Sequence, residues 1–186
     1  LGDDGQAEFF ADGSIRLIES TNLGNGDDDV INLDDGTNTV IAGAGSDELK
    51  LGGGTNYVLA DEGSLEVLTQ DTVPTGTTVA QSLNPSIGGS DLIEIGPGYN
   101  VVIGGAAGDR VSVEGSNLND QAVVLGDNGQ LTLDNAGVLL SLTSSDFESG
   151  DSDIITLSSG TNSVIGGVGA DEITAGGGVN TVLGYD

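Results

Sequence analysis

Cysteine, histidine, tryptophan and methionine are absent from this 186-residue sequence, and Tyr, Phe and Pro occur 3 times each. Without cysteine no disulfide can staple the fold, so a secreted chain of this composition needs another cross-link, such as a metal. Without His or Cys the usual nucleophiles and acid/base partners are missing, and no isolated catalytic constellation stands apart from the repeats described below. Basic residues number 3 against 30 acidic ones, a net charge of −27. Such a chain repels nucleic acid and anionic membranes and attracts cations. No apolar run is long enough to span a bilayer, and no signal peptide or initiator Met precedes Leu1, so the sequence reads as a piece of something longer.

What is present is 33 glycines and short clusters of Val, Ile and Leu bounded by Gly, Asp, Asn and Ser. That pattern predicts an all-β chain of short strands and tight turns. Two nested periods organise it. The longer is marked by Leu1-Gly2-Asp3-Asp4-Gly5, Leu59-Ala60-Asp61-Glu62-Gly63, Leu125-Gly126-Asp127-Asn128-Gly129 and Leu183-Gly184-Tyr185-Asp186, with starts 58, 66 and 58 residues apart. Three repeats follow, 1–58, 59–124 and 125–182, with 183–186 opening a further one. Each divides into a spacer (1–25, 59–87, 125–149) and a regular part (26–58, 88–124, 150–182).

The shorter period is nine residues. Asp or Asn recurs at Asp29, Asn38, Asp47, Asn56, then Asp91, Asn100, Asp109, then Asp153, Asn162, Asp171, Asn180, with Val, Ile or Leu two residues after each. The middle copy loses step after Asp109, where the segment around Ser116 to Asp120 adds about four residues and Ala122 stands in the place of Asn. Ala42-Gly43-Ala44-Gly45-Ser46-Asp47-Glu48-Leu49-Lys50 and Gly166-Gly167-Val168-Gly169-Ala170-Asp171-Glu172-Ile173-Thr174 resemble the nonapeptide G-G-x-G-x-D-x-U-x of the RTX (hemolysin-type calcium-binding) repeat family. The likeness spans about 110 residues. It implies a parallel β-roll, a β-solenoid in which six residues of each unit turn, three form a strand, and two units close one coil.

On that scheme Asp29, Asp47, Asp91, Asp109, Asp153 and Asp171 share one edge, and Asn38, Asn56, Asn100, Asn162 and Asn180 share the other. Coils about 4.8 Å apart would stack the aspartates with a repulsion of about 3.5 kcal/mol per pair at an effective dielectric of 20. A cation between them relieves it. The resemblance implies Ca²⁺, which takes six to eight oxygens and accepts backbone carbonyls, here those of Gly43, Gly45, Gly105, Gly167 and Gly169; Mg²⁺ suits such a cage less well. The expected sites bridge Asp29 with Asp47, Asp91 with Asp109, and Asp153 with Asp171. Asn can instead stack neutral, its amides forming a metal-free ladder. The competing reading is that Asp merely favours turn geometry. It gains from Ala107 at a consensus Gly position and from Asp27, Ser90 and Asp151 in turns lacking the glycine pair, but it does not explain why Asp and Asn separate by edge.

Strands such as Ile31-Asn32-Leu33 and Ile93-Glu94-Ile95 alternate, with their outer face wet. On the Asn side, Val40 and its equivalents point inward. An apolar row of Ile41, Leu59, Ile103, Leu125, Ile165 and Leu183 then points outward and needs cover. Residues 6–20, turning at Asp12-Gly13, and 131–142, turning at Gly137, read as β-hairpins that either pack on that row or widen the solenoid. The middle spacer, with Pro74 and Pro85, reads as a protruding loop.

These readings predict a structural, non-enzymatic, calcium-rigidified rod segment of a secreted or cell-surface repetitive protein, an adhesin or an extracellular fibre. The resemblance adds type I secretion from a Gram-negative bacterium. The expected partners are calcium, neighbouring repeats of the same array and copies of itself in fibres, with neither nucleic acid nor membrane insertion. The alternatives are a solenoid that binds ice or polysaccharide and a self-assembling filament subunit.

Overall fold

A computed structural model describes residues 1–68, 76–115, 117–145 and 148–184, and every regular element among them is a β-strand. The first repeat forms a hairpin, β1 (Gly5–Phe9) and β2 (Ile15–Ser20). Two coils follow, β3 (Val30–Leu33) with β4 (Gly36–Ile41) and β5 (Glu48–Leu51) with β6 (Gly54–Leu59). The second repeat has hairpin β7 (Gly63–Leu68) and β8 (Thr77–Ser82), then β9 (Leu92–Ile95) with β10 (Gly98–Gly105) and β11 (Arg110–Val113) with β12 (Gln121–Asp127). The third has hairpin β13 (Gly129–Leu133) and β14 (Leu139–Ser144), then β15 (Ile154–Leu157) with β16 (Gly160–Ile165) and β17 (Glu172–Ala175) with β18 (Gly178–Leu183).

Three six-stranded sheets result. The Asp-side sheet (β3, β5, β9, β11, β15, β17) and the Asn-side sheet (β4, β6, β10, β12, β16, β18) are parallel, and one strand of each makes a coil, so the pair is solenoid-like. Register follows the nine-residue phase within each repeat and is carried across each inserted hairpin: Ile31, Leu49, Ile93, Val111, Ile155 and Ile173 lie side by side on one sheet. On the other sheet Asn38, Asn56, Asn100, Ala122, Asn162 and Asn180 are aligned in the same way. The extra residues before Asp120 leave this register intact because they fall in the connection between Val113, where β11 ends, and Gln121, where β12 begins.

Between the two parallel sheets lies a core of inward-pointing residues, among them Leu49, Val58, Ile93, Val102, Val111, Val124 and Ile155, all fully buried. The Asn-side sheet is apolar on its other face too, which is why its strands read as near-continuous Val-Ile runs. There the six hairpin strands form an antiparallel sheet in the order β1-β2-β7-β8-β13-β14. Its Ile18, Leu65, Ala80, Leu131 and Leu133 close over Ile41, Leu59, Ile103 and Leu125 in a second core. Each large side chain removed from water there contributes about 1.5–3 kcal/mol. Of the two roles open to the spacers, the structure shows the packing one. The molecule is three layers thick, not a two-sheet roll alone.

The middle spacer is not a protruding loop over its described residues. It supplies β7 and β8 to the hairpin sheet, and the carbonyl of Pro85 accepts a hydrogen bond from Asn128 Nδ2 at 2.9 Å. Alternation in Ser64-Leu65-Glu66-Val67, with Leu65 buried against the sheet, outweighs the prolines. Pro74 lies outside the described residues.

Each hairpin is an insertion into an Asp-edge turn. Ile41-Ala42-Gly43-Ala44-Gly45-Ser46-Asp47 runs straight from β4 to β5. After β6 the same path starts as Leu59-Ala60-Asp61, leaves through β7 and β8, and resumes at Gly88-Gly89-Ser90-Asp91. The turns that seemed to lack glycines are these interrupted ones. Because strands lie about 4.8 Å apart in parallel and antiparallel sheets alike, one two-stranded hairpin covers two coils, which is why a hairpin recurs after every second coil.

Ala107 holds the glycine place of an uninterrupted turn, with φ at +67°. Left-handed backbone costs an L-residue about 1 kcal/mol. Ala107→Gly is therefore expected to stabilise the fold by roughly 0.5–1 kcal/mol, read as a rise in denaturation midpoint; an unchanged or lowered midpoint would refute it.

The aspartate edge as candidate functional site

The six Asp-edge aspartates form one continuous column. Asp47, Asp91, Asp109 and Asp153 are 1–3% exposed. Every Oδ1 from Asp47 onward accepts the backbone N–H of the aspartate one coil earlier: Asp29 N–H to Asp47 at 2.7 Å, Asp47 to Asp91 at 2.7 Å, Asp91 to Asp109 at 2.8 Å, Asp109 to Asp153 at 2.7 Å and Asp153 to Asp171 at 3.1 Å. The three separate pairs expected from sequence are thus not distinguished. Asp47 to Asp91 and Asp109 to Asp153, across an inserted hairpin, are bonded like the rest.

The second carboxylate oxygen behaves differently. Oδ2 of Asp47, Asp91, Asp109, Asp153 and Asp171 is buried without a hydrogen-bond partner. A buried anionic oxygen left bare is strongly unfavourable, so it is met by a proton or by a cation. Burial pushes the Asp47 carboxyl up to about 6 and Asp91 to about 7, against the pull of the N–H each accepts. It raises Asp153 to about 8 and Asp109 to about 10, the Asp91 charge adding to the latter.

A second set of aspartates, at the root of each hairpin, closes the edge. Asp3 Oδ2 accepts the Ala44 N–H at 2.7 Å, and Asp61 and Asp127 accept those of Ala106 and Val168. Asp61 and Asp127 each take one more N–H, from Gly89 and Asp151, at 3.3 Å. Each root carboxylate is wedged between two glycines of consecutive coils: Gly26 and Gly43, Gly88 and Gly105, Gly150 and Gly167. A Cβ on Gly43, Gly105 or Gly167 would come within 2.3 Å of the carboxylate oxygen, and their φ values of +115° to +121° exclude most side chains in any case. Burial raises Asp61 to about 9 and Asp127 to about 7. These glycine turns therefore present the N–H groups of Ala44, Ala106 and Val168 to an internal carboxylate. Gly45 and Gly169 stack on the peptides of Asp27 and Asp151 instead. The root aspartates were used in the sequence only as repeat markers. Their signal is the glycine that follows each 23 or 27 residues later, at Gly26, Gly88 and Gly150.

The opposite edge is neutral. Asn38 Nδ2 donates to Asn56 Oδ1, Asn56 to Asn100, and Asn162 to Asn180, each at 2.8 Å. Each also donates to the carbonyl four residues back, as Asn56 does to Gly52 at 3.1 Å and Asn100 to Gly96 at 3.0 Å. The ladder is interrupted at Ala122, where a water-sized recess is lined by Asn100, Ala122 and Asn162.

A cation on the aspartate edge would draw on the bare Oδ2 atoms together with backbone oxygens, since no three acidic side chains converge as a ready-made ligand group among the described residues. The donor chemistry fits a hard divalent ion in that respect: anionic oxygens, buried, unpaired and repeated once per coil. Fold and edge together define a three-layered, solenoid-like all-β protein with a buried acidic column. Comparison with family models, curated proteins and solved structures finds no match.

Proposed function

We propose that the chain is a structural rod segment of β-roll type whose aspartate edge is neutralised by calcium, and that it belongs to a secreted or cell-surface repetitive protein, an adhesin or an extracellular fibre. The observation that carries this reading is the set of five buried Oδ2 atoms without partners. One calcium per bare Oδ2 gives five per chain, held by Asp29, Asp47, Asp91, Asp109, Asp153 and Asp171. When bound, calcium supplies positive charge between coils that otherwise repel. The role is non-enzymatic. Calcium binds the folded chain far better than the unfolded one, so its binding free energy adds to stability. Scarce intracellular calcium then leaves the chain unfolded, and millimolar calcium outside the cell folds it, which suits export by type I secretion.

A surface-binding role is less well supported. The outward row of the Asp-side sheet, Asn32, Lys50, Glu94, Ser112, Thr156 and Thr174, is chemically mixed rather than a regular Thr array.

Titrating calcium into the chelator-treated chain at neutral pH, with magnesium as control, tests the proposal by calorimetry and circular dichroism. The expected result is a cooperative gain of β signal that Asp47→Asn, Asp109→Asn and Asp171→Asn together abolish. A chain fully folded in chelator that takes up no calcium would overturn it, leaving the aspartates to turn geometry.

A further inference from the structure

The break in the Asn ladder at Ala122 lies among interior coils, and the groups around it are set out for one kind of occupant. Asn56 shows the complete rung. Its Oδ1 accepts from Asn38 and one of its N–H groups donates to Asn100, both at 2.8 Å. Its other N–H donates at 3.1 Å to the carbonyl of Gly52, the residue just past β5. Asn100 and Asn162 each lack one such bond, because Ala122 stands between them in register. Asn100 turns its oxygen toward Asn56, so its second N–H faces Ala122. Asn162 donates to Asn180, so its Oδ1 faces Ala122 from the other side. The two residues are 0% and 4% exposed.

A backbone carbonyl completes the set. Glu114 follows β11 as Gly52 follows β5, and its N–H donates to the Ile95 carbonyl as that of Gly52 donates to Leu33. Its own carbonyl therefore holds the place to which an amide at position 122 would donate, and Glu114 lines the water-sized recess with Asn100, Ala122 and Asn162. The occupant must accept one hydrogen bond, from Asn100, and donate two, to Glu114 and Asn162. A cation suits the two oxygens but is repelled by the Asn100 N–H, and an anion is repelled by both oxygens. Water has the lone pairs and the two O–H groups required, and buried polar groups without protein partners are commonly met in this way. Length sets the number. One coil spacing of about 4.8 Å added to a ladder bond of 2.8 Å puts Asn100 Nδ2 about 7.6 Å from Asn162 Oδ1. One water spans about 5.6 Å between its partners, whereas two in series span about 8.4 Å.

We propose that the recess at Ala122 is a hydration site for two ordered waters, one enclosed beside Asn100 and Glu114 and one at the mouth against Asn162. Together they stand in for the missing amide, so that hydrogen bonding runs unbroken along the Asn edge through the second repeat and into the third. The site lies on the neutral edge and does not depend on the cation reading of the aspartates.

Oxygen-17 relaxation dispersion, which counts long-lived waters, is expected to find fewer of them in Ala122→Asn than in the wild type, both measured in calcium, because the new amide displaces the pair. Ala122→Asn should also melt about 2–4 °C higher, as direct bonds replace immobilised water. Ala122→Val fills the same space with methyl groups and should melt lower by at least as much, since it strips water from three polar groups. A high-resolution crystal map should show oxygens at about 2.8 Å from Asn100 Nδ2, the Glu114 carbonyl and Asn162 Oδ1. Equal counts of long-lived water in the wild type and Ala122→Asn, or a Val variant more stable than the wild type, would mean a dry recess and sink the proposal. An occupant ringed by oxygens at about 2.3–2.6 Å would be a cation, and that too would overturn it.

Discussion

In chelator the chain is expected to be folded near pH 4 and to lose its β-structure as the pH rises to about 8, and added calcium restores it there. An ordinary aspartate ionises at 3.8, whereas the folded chain holds the proton on Asp47 to about 6, on Asp91 and Asp127 to about 7, on Asp153 to about 8, on Asp61 to about 9 and on Asp109 to about 10. Below 3.8 both states are protonated and these groups cost nothing. Above it the unfolded chain releases protons that the folded one retains, so stability is fully present at low pH and drains away as the pH climbs through the folded values. A tenfold difference in proton affinity is worth about 1.4 kcal/mol, so two or three of these carboxyls already match the whole stability of an ordinary domain, about 5–15 kcal/mol. Dichroism against pH, with and without calcium, measures this. Stability that instead rises from pH 4 to 8 in chelator would mean that the column is solvated and needs no counter-charge.

Gly105→Ala is expected to destabilise the fold by about 4 kcal/mol or more, while Gly137→Ala costs only about 1 kcal/mol. Both glycines have positive φ, +121° and +79°, so the backbone penalty is shared. They differ in surroundings. Nothing lies within 4 Å of a Cβ on Gly137, but one on Gly105 meets the Asp61 carboxylate at 2.3 Å. Asp61→Ala makes room for it and also strips the Ala106 N–H of its acceptor, so the double substitution should cost clearly less than the sum of the two singles. Equal effects at the two glycines, or simple additivity at Gly105 and Asp61, would show that the root carboxylate is not clamped there. Urea denaturation of the wild type and the four variants gives the comparison.

Much of this architecture is legible in the sequence because a fixed phase dictates it. Nine-residue spacing places Ile31 beside Leu49, Ile93 beside Val111 and Ile155 beside Ile173 without reference to anything distant, and the separation of Asp from Asn tells the two turn edges apart. The outward Ile41, Leu59, Ile103 and Leu125 also announce that a third layer must exist. Two things were harder to read. The middle hairpin was masked by Pro74 and Pro85, turn formers whose weight is local, while the pull of Leu65 and Ala80 toward the apolar row acts through space. The root aspartates escaped notice as functional groups because Asp61 meets Gly105 44 residues away, a contact that no short-range pattern carries.

The third sheet also changes how the molecule responds to force. A ribbon resists bending out of its plane roughly as the cube of its thickness, and packed sheets each add about 10 Å, so the hairpin layer makes the structure about threefold stiffer in that direction than a bare two-sheet solenoid. Because hairpin strands run antiparallel to one another yet lie one per coil alongside the others, they act as a splint bonded across every joint between repeats, and tension along the axis is shared among three ladders instead of two.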